Sequence, residues 1–134
     1  MEPPGDAVRV LRHVHRSTRP GGVVLDLTTV PPAAVIEHAG VGLGSLDQGA
    51  FLERAARTEA AVDALIAEGL LAEEASLPHA VLKHFESAGE LVADLDERPV
   101  SNLPSALRDV LDGVEGPVAE RSFCLLRRLR VLPG

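Results

Sequence analysis

Apolar positions recur along this chain in two rhythms. Between Ala7 and Thr18, Val8, Leu11 and Val14, with His15, return at helical spacing, while Arg9, Arg12, Arg16 and Arg19 fall largely elsewhere. That predicts an amphipathic helix with Asp6 as its N-cap, its arginines gathered at the negative end of the helix dipole. Pro20 stops it and Gly21-Gly22 turns the chain. Val23, Val24, Leu25 and Leu27 then follow without strict alternation, the pattern of a parallel strand covered on both faces. Pro31-Pro32 closes that strand.

The segment "AAVIEHAGVGLGSLD" reads as a short hairpin turning near Ala39-Gly40. A long helix is predicted over about Gln48–Leu70, with Phe51, Ala55, Thr58, Val62, Leu65 and Ile66 as its apolar stripe. Ser45 and Gln48 fit a capping box, and Asp47 competes as N-cap. A second main strand is placed at His79–Glu86. A helix in "SAGELVADLDER" takes Ser87 as N-cap and Glu90 as its box partner, and Pro99 ends it. A shorter helix in "NLPSALRDVLDGV" turns Ala106, Leu107, Val110 and Leu111 inward. "PVAERSFCLLRRLRVL" is a long last strand. Neither repeat nor linker interrupts the series. The expected architecture is one α+β domain over residues 1–134, with a flexible arm at 1–5. It has a small mixed sheet of three main strands plus a hairpin, packed by four helices.

Composition narrows the function. The 134 residues include three Phe and no Trp or Tyr, so the core is aliphatic and stacking platforms for single-stranded nucleic acid are lacking. The net charge of −7 repels phosphate backbones, so no nucleic-acid partner is expected. The single cysteine, Cys124, allows no internal disulfide and fits a reducing compartment. "MEPPGDAV" lacks the parts of a signal peptide, and no apolar run nears the roughly 18 residues of a membrane span. A cytoplasmic protein with no membrane contact is expected.

One stretch carries a resemblance. "RSTRPGGVVLDL" resembles the segment of class I S-adenosylmethionine-dependent methyltransferases in which a helix ends in Arg-x-Leu-(Arg/Lys)-Pro-Gly-Gly and feeds the fifth strand. "FLERAARTEAAVDALIAEGL", "HAVLKHFESAGELV" and "VAERSFCLLRRLRVL" are similar to the later helix and the closing antiparallel strand pair of that fold. Ser17 and Thr18 depart from the family, which prefers aliphatic residues there. The resemblance implies half of a Rossmann-like fold, without the half that holds the cofactor. No Gly-x-Gly-x-Gly is present, and "GVGLGSLDQG" reads better as a turn and helix entry than as a cofactor loop.

The residues offer few sites. Asp26, with Thr28 and Thr29 beside it, falls near the end of the first strand, where ligands bind in open parallel sheets. The alternative is an Asp that fixes the following loop. Arg127, Arg128 and Arg130, after Arg121, form a basic stretch that is either an anion or partner site or is paired with neighbouring Glu and Asp. If Leu125 and Leu129 face the core, Arg127 shares their parity and belongs near a sheet end, while Arg128 and Arg130 take the other face. No His pair has metal-ligand spacing, Cys124 lies in apolar surroundings without an adjacent base, and Ser122 has no nucleophile context. His84 beside Phe85 reads as a half-buried side chain.

A half-fold leaves its first strand with an open edge, and open edges invite pairing. The expected function is therefore that of a non-catalytic, methyltransferase-like domain acting by association, as a homodimer or with a second chain. No cofactor is expected for the chain alone. The alternative is a methyltransferase part or ligand-binding subunit, with S-adenosylmethionine held only when a partner supplies the missing half.

Overall fold

The first helix of the computed structural model, α1 (Gly5–Ser17), begins one residue before the expected cap and ends where Pro20 requires. The structure describes residues 5–98 and 101–134, so most of the expected arm and Pro99 lie outside the described residues. Gly21 takes φ +83°, a left-handed value that favours glycine. Gly22 has no room for a side chain: a Cβ there would lie 2.7 Å from Thr18 Cγ2 and 2.9 Å from the Arg19 carbonyl oxygen. The Pro-Gly-Gly turn thus needs both glycines, for different reasons. It leads into β1 (Val23–Thr29).

The hairpin follows as β2 (Val35–His38) and β3 (Val41–Ser45). Its two central residues, Ala39 and Gly40, have φ values of +51° and +77°, the signs of a type I′ turn, whose twist matches that of the strands. After it come α2 (Gly49–Ala67), β4 (Leu71–Phe85), α3 (Ala88–Asp96), α4 (Ser105–Asp112) and β5 (Val118–Val131). The described residues form an α+β fold, with the expected four helices, hairpin and three longer strands. β4 is much longer than the expected strand at His79–Glu86, because Glu73, Glu74, Ser76 and Pro78 interrupt the apolar residues of its first half. Ser87 caps α3, its Oγ accepting the Glu90 N–H at 3.2 Å, while Glu90 Oε2 accepts from the Glu86 N–H at 2.9 Å. Gln48 does not complete a capping box. Its side chain is buried, accepting from the Ala34 N–H and donating to Ser101 Oγ, and Asp47 accepts the Gly49 N–H instead.

The five strands form an antiparallel sheet of order β1-β5-β2-β3, with β4 pairing β5, where a mixed sheet was expected. β1 is not a parallel strand: it runs antiparallel to β5, from Val23 opposite Arg130 to Thr29 opposite Cys124. Nor is it covered on both faces. Val24 packs into a core, but Val23, Leu25 and Leu27 are 40%, 66% and 59% exposed. An unbroken apolar run marks two buried faces only where something covers both, and here one face is apolar and open.

The chain divides into two compact units that interleave in sequence. One comprises residues 5–30, Glu53–His79 and Cys124–Gly134, around Val62, Leu65, Leu71, Leu129 and Val131, with Val8, Leu11 and Ile66 packed on them. The other comprises Pro31–Leu52 and Ala80–Phe123 (residues 99 and 100 aside), around Ile36, Leu46, Phe85, Leu91, Leu95, Leu107, Leu111 and Val118. β4 and β5 run through both, which is why no linker is legible in the sequence. Val110 and Ala106 of α4 are exposed, leaving Leu107 and Leu111 as its buried pair.

Candidate functional site

Along the second half of β5, burial alternates: Arg127, Leu129 and Val131 are buried, while Arg128 is exposed. Arg127 therefore shares the inward face with two core residues, though it lies mid-strand rather than at a sheet end. A guanidinium placed there must be paired. Helix α2 supplies Glu59 and Asp63, four residues apart and so on one side of the helix. β4 supplies Glu73. Arg127 Nε donates to Glu73 Oε1 at 2.7 Å, Nη2 donates to Asp63 Oδ1 at 2.9 Å, and Nη1 donates to Glu59 Oε1. Burial alone would push the Arg127 pKa down; the hydrogen bonds it donates to Glu59, Glu73 and Asp63 overcome it and hold the group above the usual arginine value.

Asp26 is the cross-strand partner of Arg127. It stands in the middle of β1, not at its end. Its carboxyl is pushed up to about 6, first by burial and then by the neighbouring Glu59 carboxylate; Arg127 opposes the shift. Asp26 Oδ2 and Glu59 Oε2 are both buried without a hydrogen-bond partner in the protein. Thr28 shares the strand face of Asp26, whereas Thr29 lies on the opposite one, so these three residues do not form a single group.

The structure likewise separates the three C-terminal arginines. Arg128 and Arg130 take the other face of β5, and both bind Glu74: Arg128 Nε at 3.1 Å, Arg130 Nε at 2.7 Å. Arg130 also donates to the Gly21 carbonyl at 2.6 Å, tying the strand to the Pro-Gly-Gly turn. The Arg130 hydrogen bond holds Glu74 below the usual carboxylate range, with Arg128 assisting and burial opposing. Two acidic neighbours on β4, Glu73 and Glu74, thus serve the two faces of the arginine pair Arg127-Arg128.

No family model, curated protein or solved structure matches the chain. The cluster gathers Asp26, Glu59, Asp63 and Glu73 around one arginine. Asp26 and Arg127 are the two members singled out from the sequence; Arg127 takes the expected alternative of pairing with neighbouring Glu and Asp, whose identities, Glu59, Asp63 and Glu73, were not. Glu59 and Asp63 carry one faint signal, two acids spaced four apart on either side of the stripe residue Val62. Among the described residues, no group of three or more His, Cys, Asp or Glu has the arrangement of a metal site. None of the described helices is long and apolar enough to cross a membrane.

The second unit has a smaller charged group. Arg98 donates to both oxygens of Glu120, at 2.9 and 2.7 Å, and also to Asp94. Glu120 is buried, and its bidentate pairing is the geometry in which an arginine serves a carboxylate best. Arg121 pairs with Glu37 at 2.7 Å. His38 hydrogen-bonds the Pro117 carbonyl at 2.9 Å, Cys124 is buried, and His84 is exposed rather than half-buried, since β4 leaves it on an uncovered face. A cleft of about 370 Å³ lies between α3 and α4, lined by Ser87, Val92, Arg108 and Leu111.

Proposed function

We propose that this chain is a methyltransferase-like association domain that acts as a homodimer through β1, rather than by catalysis of its own. The observation that carries the proposal is the apolar, exposed row Val23, Leu25 and Leu27 on a strand at one end of the sheet order. Such an end strand presents unpaired backbone groups, and proteins usually guard it with lysine, proline or a bulge. Val23–Thr29 contains neither lysine nor proline, and its pairing with β5 has no register shift. The strand's one charge, Asp26, belongs to the inward face. A second copy suits this surface because a twofold axis sets β1 antiparallel to itself and brings the same apolar residues together from both sides. The helix, Pro-Gly-Gly turn and strand, with β5 antiparallel beside that strand, also support the methyltransferase-like reading.

Light scattering coupled to size-exclusion chromatography tests the dimer. The wild type is expected to run as a dimer, and Leu25→Glu with Leu27→Glu as a folded monomer. A wild type that stays monomeric across concentrations would overturn the association. Thermal shift with S-adenosylmethionine separates the catalytic alternative: no change is expected, and a saturable rise in Tm would replace this reading with that of a cofactor-binding part.

A further inference from the structure

The donor and acceptor inventory around Arg127 does not balance. Arg127 donates one N–H each from Nε, Nη1 and Nη2 to Glu73, Glu59 and Asp63, and its two remaining N–H groups reach neither Asp26 Oδ2 nor Glu59 Oε2. Asp26 Oδ2 and Glu59 Oε2 remain buried, and an ionised carboxylate oxygen can only accept. Two adjacent buried acceptors with no donor are costly. One proton removes the conflict: the O–H of one carboxyl donates to the oxygen of the other. The charges facing the pair point the same way. β1 contributes Asp26, α2 contributes Glu59 and Asp63, β4 contributes Glu73, and β5 contributes only Arg127 as a cation. Fully ionised, the group holds four negative charges against one positive.

We infer that Asp26 and Glu59 share one proton in the folded protein, and that losing it weakens the seating of α2 on β1 and β5, so that this unit carries a pH-operated latch. The inference is independent of dimerisation, because the pair faces α2 and not the exposed row of β1. Coulomb repulsion between neighbouring carboxylates in a partly buried site acts directly across the helix–strand contact. The raised Asp26 carboxyl places the transition on the acid side of neutrality.

The test compares urea unfolding of the full chain, wild type against Asp26→Asn, at about pH 5 and about pH 8. The asparagine amide supplies a permanent donor to Glu59 Oε2. The wild-type midpoint is expected to shift down between the two pH values, and the shift is expected to shrink by at least half in Asp26→Asn. Groups away from the pair are common to both proteins and cancel in the comparison. An equal shift in the two proteins overturns the inference. Should Asp26→Asn fail to fold, infrared spectroscopy of the wild type decides: a buried protonated-carboxyl band present at the lower pH and fading at the higher one supports the shared proton, and its absence at both overturns it.

Discussion

Asp26 and Arg127 stand opposite each other across β1 and β5, yet Arg127 gives its strong hydrogen bonds to three other carboxylates. The arginine is therefore a tie between elements more than a partner for one residue. It joins α2 and β4 to the strand that carries it. Glu59 is the most enclosed of its partners, at 15% side-chain exposure, while Asp63 at 64% is well solvated. Solvent screening leaves the Asp63 contact worth little, so the Glu59 pair dominates.

Arg127→Met is accordingly expected to destabilise the protein by about 3 kcal/mol at neutral pH, because it leaves Glu59 enclosed without its cation. Arg127→Lys should fall between that variant and the wild type, since a single ammonium cannot reach three carboxylates from three directions. Urea unfolding measures both, and an Arg127→Met loss below about 1 kcal/mol would show that the tie is dispensable.

The element series was legible because the chain marks its boundaries with strong local signals. Pro20-Gly21-Gly22, Ala39-Gly40 and Ser87 each act within a few residues, and each took its expected role. What was not legible depends on distant segments. The open face of β1 looked like a doubly covered strand because Val23, Leu25 and Leu27 are apolar whether or not anything lies over them. Gln48 looked like a cap because Ala34 and Ser101, which draw it inward, lie far away in sequence. Two of the five residues of the charged cluster, Asp26 and Arg127, were visible in the sequence. Glu59, Asp63 and Glu73 join it only once α2 and β4 are folded against β5.

The two glycines of the turn should respond differently. Gly21→Ala meets no neighbouring atom and suffers only the strain of its positive φ, about 1 kcal/mol. Gly22→Ala forces a methyl against Thr18 Cγ2 and the Arg19 carbonyl, and the carbonyl belongs to the backbone that ends α1. It should cost more, about 2 kcal/mol or above, and also loosen the ladder in which Gly22 accepts from the Val131 N–H at 2.8 Å. Thermal unfolding of the two variants checks the order, and equal losses would refute the steric argument.

Stability should peak on the acid side of neutrality. Asp94 and Glu37 are held below their usual values of 3.8 and 4.5, first by hydrogen bonds from Arg98 and Arg121 respectively. Their contributions are present above those values and are lost as pH falls through the depressed ones. Asp26 acts in the opposite sense: raised from 3.8 to about 6, it stabilises fully below 3.8 and loses that contribution as pH rises through about 6. Allowing for its partial exposure to solvent, the Asp26 loss amounts to about 1–2 kcal/mol. Urea midpoints across the range should describe a maximum near pH 5, and a curve that rises steadily to pH 8 would contradict it.

Leu25 and Leu65 separate folding from association. Leu65 is fully buried in the core beneath α2, and Leu65→Ala should cost about 2–5 kcal/mol by lost transfer energy and the cavity left behind. Leu25 is 66% exposed, so within one chain Leu25→Ala removes little buried area and should change stability by no more than about 0.5 kcal/mol. If β1 forms the dimer, the same substitution weakens self-association, and the effect grows with protein concentration because the dimer equilibrium does. Unfolding curves at low and high protein concentration distinguish the two. Leu65→Ala should lower the midpoint at both concentrations, while Leu25→Ala should lower it only at the high one. A Leu25→Ala loss that is large and independent of concentration would place Leu25 in a core and remove the basis for association through β1.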